Sequence, residues 1–157
     1  IQEGAPYDTW FAFVVGEEIG SRAAKAAAGR LPPGWGLVIE GTTAADIPGV
    51  AEHERSCFQG GGAVVSLADR GSVYNRDLVR RLTKRAGEEG IRWQYRASMN
   101  GSTDASAIHL AGAGAQAFGL AAPVRYIHSA SNVLYWPDAE EVLKMARLVI
   151  KEAECDD

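Results

Sequence analysis

The sequence predicts an α/β fold of three layers, with helices on both faces of a mostly parallel, mixed sheet. Two observations carry this. Phe11 to Val15 (FAFVV) is an unbroken apolar run rich in aromatic and β-branched side chains, as a central strand buried on both faces would be, and it stops at Glu17 and Glu18. Trp35 to Glu40 (WGLVIE) repeats the pattern and again ends in an acid. Between them Ser21 to Gly29 (SRAAKAAAG) is rich in alanine, the best helix former, and stops at Gly29 ahead of Pro32-Pro33. Strand, helix and strand in that order make a βαβ unit with parallel pairing.

The remaining elements follow in chain order. Residues 41–62, with three consecutive glycines and little periodicity, read as a long functional loop, expected to be mobile or packed against another copy. Ala63 to Leu67 reads as a strand. Asn75 to Glu89 reads as an amphipathic helix, capped by Asn75, stopped by Gly90, and carrying Leu78, Val79, Leu82 and Ala86 on one face. Its run Arg80, Arg81, Lys84 and Arg85 is a solvated face. Ile91 to Ala97 mixes apolar and charged residues as an edge strand does. Ser102, Thr103 or Asp104 caps a short helix from Ala105 to Ala111, Gln116 to Ala121 is a short strand, and Asp138 to Ala153 is the last helix. That helix turns Val142, Leu143, Ala146, Leu148, Val149 and Ile150 largely toward the core.

At 157 residues and 46% hydrophobic, the chain has material for one core. A net charge of −4 and the lack of a basic stretch interleaved with aromatics argue against nucleic acid as a partner. No apolar run approaches the roughly 20 residues of a membrane helix, so no membrane partner is expected. Cys57 and Cys155 are too few for a disulfide framework or a metal quartet, which fits a cytoplasmic location. The chain opens on Ile1, and IQEGAP reads as a helix end turning at Gly4 and Pro6, as expected within a longer protein.

Ligands of open α/β sheets gather outside the carboxyl ends of strands, so Glu17, Glu18 and Glu40 mark a candidate site. Alternatively, Glu17 and Glu18 begin the following helix, whose dipole favours acids in its first turn. His128 adds an imidazole, and zinc and similar ions accept carboxylate oxygen and imidazole nitrogen. A hydrogen-bonded structural role is the ordinary alternative for His128, and the one expected for His53 and His109.

GEEIGSRAA, IEGTTAADIPG, NGSTDASAIHL and PVRYIHS, spread in that order from Gly16 to Ser129, resemble the C-terminal catalytic part of the M42 dinuclear metallo-aminopeptidases. The intervals agree as well, with 22 residues from Glu18 to Glu40 and 88 from Glu40 to His128. The resemblance implies a zinc-peptidase-like fold and removal of the N-terminal amino acid from peptides. It matches Glu17 to the general base, Glu18 and His128 to ligands of one metal, and Glu40 to a ligand of the second. It further implies two divalent ions in the intact enzyme, zinc or cobalt with manganese as a third option, peptide substrates and a homo-oligomer. Asp46 is expected to orient ligands and Asp104 to line the substrate pocket, unless both are simply turn or cap residues.

Several positions depart from the family pattern. Gly16 stands where glutamine is common, Ser102 follows Gly101 where a second glycine is usual, Ala130 replaces a proline, and Glu40 replaces an aspartate. The family's upstream histidine and bridging aspartate precede the acid strand and have no match here; Asp8 is not at the bridging position. Residues 1–157 are therefore expected to be the C-terminal part of a single catalytic domain, without its N-terminal part and inserted smaller domain. Alone, such a chain would hold at most one metal ion weakly and show no aminopeptidase activity. Glycoside hydrolysis, which also uses paired carboxylates, and a non-catalytic assembly fragment are the competing readings.

Overall fold

The computed structural model describes residues 8–152; the expected turn at Gly4 and Pro6, and Cys155, lie outside them. The helices are α1 (Arg22–Arg30), α2 (Arg76–Glu88), α3 (Ala105–His109) and α4 (Trp136–Glu152). The strands are β1 (Trp35–Thr43), β2 (Ala63–Val65), β3 (Trp93–Tyr95), β4 (Gln116–Arg125) and β5 (Val133–Leu134). They form a mixed sheet in the order β1-β4-β2-β3, with β5 against β4. β1 and β4 run parallel from Trp35 opposite Gln116 to Thr43 opposite Val124. β2 and β3 are also parallel, whereas β2 and β5 lie antiparallel to β4.

Phe11 to Val15 is not a strand. Phe13 is 98% exposed and Val15 79%. An apolar run becomes a strand only where a ladder and a packed face receive it, and among the described residues β1 pairs with β4 alone. The expected βαβ unit is therefore replaced by a crossover from β1 to β4.

β4 runs past the expected end at Ala121 and contains Pro123. Val124 O accepts from Ala44 N on the β1 side, so Pro123 faces the other side. There β2 pairs with β4 only as far as Ala121 and the pairing with β5 begins at Val124, so the missing N–H falls in that gap. The two-residue β5 is too short to give a periodic signal in the sequence.

Asn75 Oδ1 accepts from the backbone N–H of Asp77 and Leu78, capping α2 as expected. At the other end Gly90 has φ 70° and Ile91 N donates back to Ala86 O, so the helix stops where the glycine predicts. α2 and α4 pack together, with α4 also on β2 and β4, while α3 contacts α1, β1 and β4. The core between them holds Leu78, Val79 and Leu82 of α2, Phe118 and Leu120 of β4, and Val142, Met145 and Val149 of α4. Leu143 is 54% exposed, because the stripe 142, 145, 146 and 149 turns it outward and brings Met145 in.

Residues 44–62 are tied down at several points. Arg125 makes a two-pronged ion pair with Asp46, at 2.7 Å and 2.8 Å. Gln59 donates from its backbone N–H to Asp46 and from its side chain to Val133 O. Phe58 N–H donates to Gln94 Oε1, whose amide nitrogen donates to Phe58 O. Asp138, fully buried at the start of α4, accepts from Gly60 N–H at 2.8 Å and Gly62 N–H at 2.9 Å. Gly62 has φ 86°, and a Cβ there would lie 2.2 Å from Arg92 O. The glycine run is thus a fitted clasp on α4.

Candidate functional site

Glu17 and Glu18 open a tight turn rather than a helix. Gly20 N–H and Ser21 N–H both donate to Glu17 O, and Ser21 is held at φ 54°. α1 starts only at Arg22 with no acid in its first turn, so the helix dipole does not account for the pair. From the other side comes the turn after β4, in which Tyr126 and His128 adopt φ 60° and 62°. Non-glycine residues in this region carry strain that the surroundings must hold. Ser129 Oγ lies 2.6 Å from Tyr126 O and 2.8 Å from Ser131 O, and its proton staples the turn through one or the other.

Glu17, Glu18, Glu40 and His128 line one cavity of about 660 Å³, together with Arg96 and Asn100. His128 Nδ1 lies 3.2 Å from Glu18 Oε1, and both side chains reach solvent. Burial, above all, raises the pKa of Glu17, with Glu18 and Asp104 adding repulsion and His128 opposing. Burial pushes Glu40 up to about 8; Glu17 adds to this, Arg96 pulls back, and Asp69 and Asp104 push further. Part of both shifts is repulsion between neighbouring acids, which a cation placed among them would relieve.

The donor set fits one metal ion in part. Two ligands at tetrahedral angles around zinc stand about 3.4 Å apart, and the Glu18–His128 separation of 3.2 Å is close to that. Among the described residues no three His, Cys, Asp or Glu side chains converge to enclose an ion, and Glu40 stands apart from the pair.

Asp46 is absent from the cavity wall, and its carboxylate is occupied by Arg125 and Gln59. The Arg125 hydrogen bonds hold its pKa below the ordinary 3.8, against the effect of burial. Asp104 precedes α3; its charge reaches Glu17 and Glu40, while its buried Oδ1 has no hydrogen-bond partner. The cap is supplied next door, where Thr103 Oγ1 accepts from Ala105 N–H. His109 packs on Tyr74 with Nδ1 3.0 Å from Ala115 O, and His53 lies in an exposed single 3-10 turn, Glu52–Glu54. Sequence reasoning missed Arg96 as a wall residue and Asp138 as the clasp, although GGG followed at a distance by a helix-opening aspartate was visible.

The sequence profile of the M42 glutamyl aminopeptidases matches residues 1–145. The aminopeptidase APDkam598 of the archaeon Desulfurococcus kamchatkensis is 32% identical with a TM-score of 0.84, over 88% of this chain and 39% of that one. The Pyrococcus horikoshii TET1 peptidase, described as assembling into a tetrahedron or a large octahedral shell, is 27% identical with a TM-score of 0.70, over 86% and 38% of the two chains. A protein of Acetivibrio thermocellus that carries an aminopeptidase name is 29% identical over 88% of this chain and 41% of its own length. The chain thus spans about two-fifths of the relatives it matches. With a profile match over nearly its whole length and solved aminopeptidases superposing on its fold, the chain belongs to the M42 glutamyl aminopeptidase family.

Proposed function

We propose that the chain provides the water-activating side of a metal-dependent aminopeptidase. The observation that supports this best is the pairing of Glu18 with His128 beside a second, partly buried carboxylate, Glu17, in one cavity. Glu18 and His128 would hold one divalent ion, zinc or cobalt, and Glu40 would face a second. A divalent ion, when bound, supplies Lewis acidity that makes water a better nucleophile and polarises a peptide carbonyl. Glu17 is the proton carrier: its raised proton affinity suits it to take a proton from the attacking water and return it to the departing amine nitrogen. Glu18, committed to a cation, is a poorer base than its neighbour. Two carboxylates side by side in one turn, with an imidazole against one of them, fit this chemistry better than glycoside hydrolysis, which needs carboxyls facing each other across a sugar.

The described residues provide two converging donors, so the remaining ligands would come from polypeptide beyond them, and this chain alone would hold at most one ion weakly and turn over no substrate. Assembly of the intact protein with copies of itself is part of the same proposal, by analogy with the TET1 shells. Hydrolysis of leucine and glutamate anilides by the intact protein should stop on chelation and return with zinc or cobalt, while calorimetry of this chain should show no more than one weak zinc. Turnover surviving complete metal removal, or two tight ions on this chain, would contradict the proposal.

A further inference from the structure

His128 reaches the cavity from a turn that little else holds in place. Residues 126–132 join β4 to β5, and the side chain of His128 is 64% exposed, so packing does not fix the imidazole. Tyr126 and His128, flanking Ile127, nevertheless both sit in the left-handed region, at φ 60° and 62°. Side chains other than glycine's resist that region, so the pair requires an outside constraint. The backbone supplies none: among the described residues no backbone–backbone hydrogen bond joins any two of residues 126–132. The hydrogen bonds within the turn are those of Ser129, whose Oγ lies 2.6 Å from Tyr126 O and 2.8 Å from Ser131 O. Beside it Ile127 packs over Gly41, where a Cβ would stand 3.7 Å from Ile127 Cδ1. Apolar contact is non-directional, so it seats the turn on β1 next to Glu40 without setting the two left-handed residues.

We infer that Ser129 is the positioning residue of this site: its hydroxyl holds the turn from Tyr126 to His128 in the geometry that sets the imidazole beside Glu18, 3.2 Å from Nδ1 to Oε1. The inference rests on the proposed metal role of Glu18 and His128. The hydroxyl touches neither ion nor substrate. It raises the fraction of molecules whose imidazole is already placed, and apparent metal affinity follows that fraction. One neutral hydrogen bond shifts such an equilibrium by about three- to tenfold.

Two readouts test this. In this chain, the ¹³C shifts of Tyr126 and His128 should show the left-handed conformation in the wild type and in Ser129→Thr, which keeps the hydroxyl, and lose it in Ser129→Ala. In the intact protein, stripped of metal and titrated with cobalt against a competing chelator, His128→Ala should lose one ion. Ser129→Ala should weaken that same ion by about three- to tenfold, and Ser129→Thr should bring it back toward the wild type. Thermal melts of each variant verify that it folds. Wild-type shifts in Ser129→Ala, an unchanged cobalt affinity, or failure of Ser129→Thr to restore both would overturn the assignment. If His128→Ala keeps every ion, the metal reading of His128 fails instead, and the shifts still decide whether Ser129 holds the turn.

Discussion

Asp46 shows how a side chain can be conspicuous in a motif and serve the fold. Its carboxylate takes two hydrogen bonds from Arg125 and one from Gln59, and it anchors residues 44–62 to the end of β4. The pKa of a carboxyl so held is lowered on folding, so the stabilisation is present above its ordinary value of 3.8 and fades as pH falls through the lower folded value. Asp46→Asn is therefore expected to melt below the wild-type chain at pH 7, with the gap closing once pH drops under about 3.8. Melting curves from pH 7 to pH 2 test this; a gap independent of pH would mean that packing, not charge, makes the contribution.

At the scale of elements, the glycine clasp carries the clearest prediction. Asp138 is fully buried and accepts from two backbone N–H groups. Asp138→Ala would leave both donors unpaired in a closed space, at a cost of roughly 3 kcal/mol. Urea unfolding should show that loss, and amide exchange at Gly60 and Gly62 should accelerate far more than at Leu82 in α2. Elements whose signal is local were legible in the sequence. The α2 cap, its apolar stripe and its glycine stop are set by residues within one helix. β1 likewise reads from its own composition. Elements defined by partners were not: Phe11 to Val15 has the composition of a strand without a ladder to join, and β5 exists only because β4 turns back on it.

For the molecule as a whole, the same stretch of chain leaves Trp10, Phe11, Phe13, Val15 and Ile19 exposed. Apolar surface of that kind drives association. The isolated chain should sediment with a concentration-dependent coefficient, and Phe13→Ser with Val15→Ser should shift it toward monomer; identical behaviour of the two would place the contact elsewhere. The candidate site was legible because Glu17, Glu18, Glu40 and His128 belong to strand ends and turns that the topology brings to one cavity. Arg96 was hidden because nothing local marks an arginine just past a short edge strand as part of a cavity wall.

The division of labour between neighbouring acids is the claim most open to direct test. In the intact protein, metal content and anilide turnover are measured together on Glu17→Gln and Glu18→Gln. Glu17→Gln should keep its metal and lose about 10²- to 10⁴-fold in kcat, as removal of a general base does. Glu18→Gln should lose the metal, and its activity with it. Equal metal loss in the two variants, or a Glu17→Gln enzyme that turns over at the wild-type rate, would contradict the account.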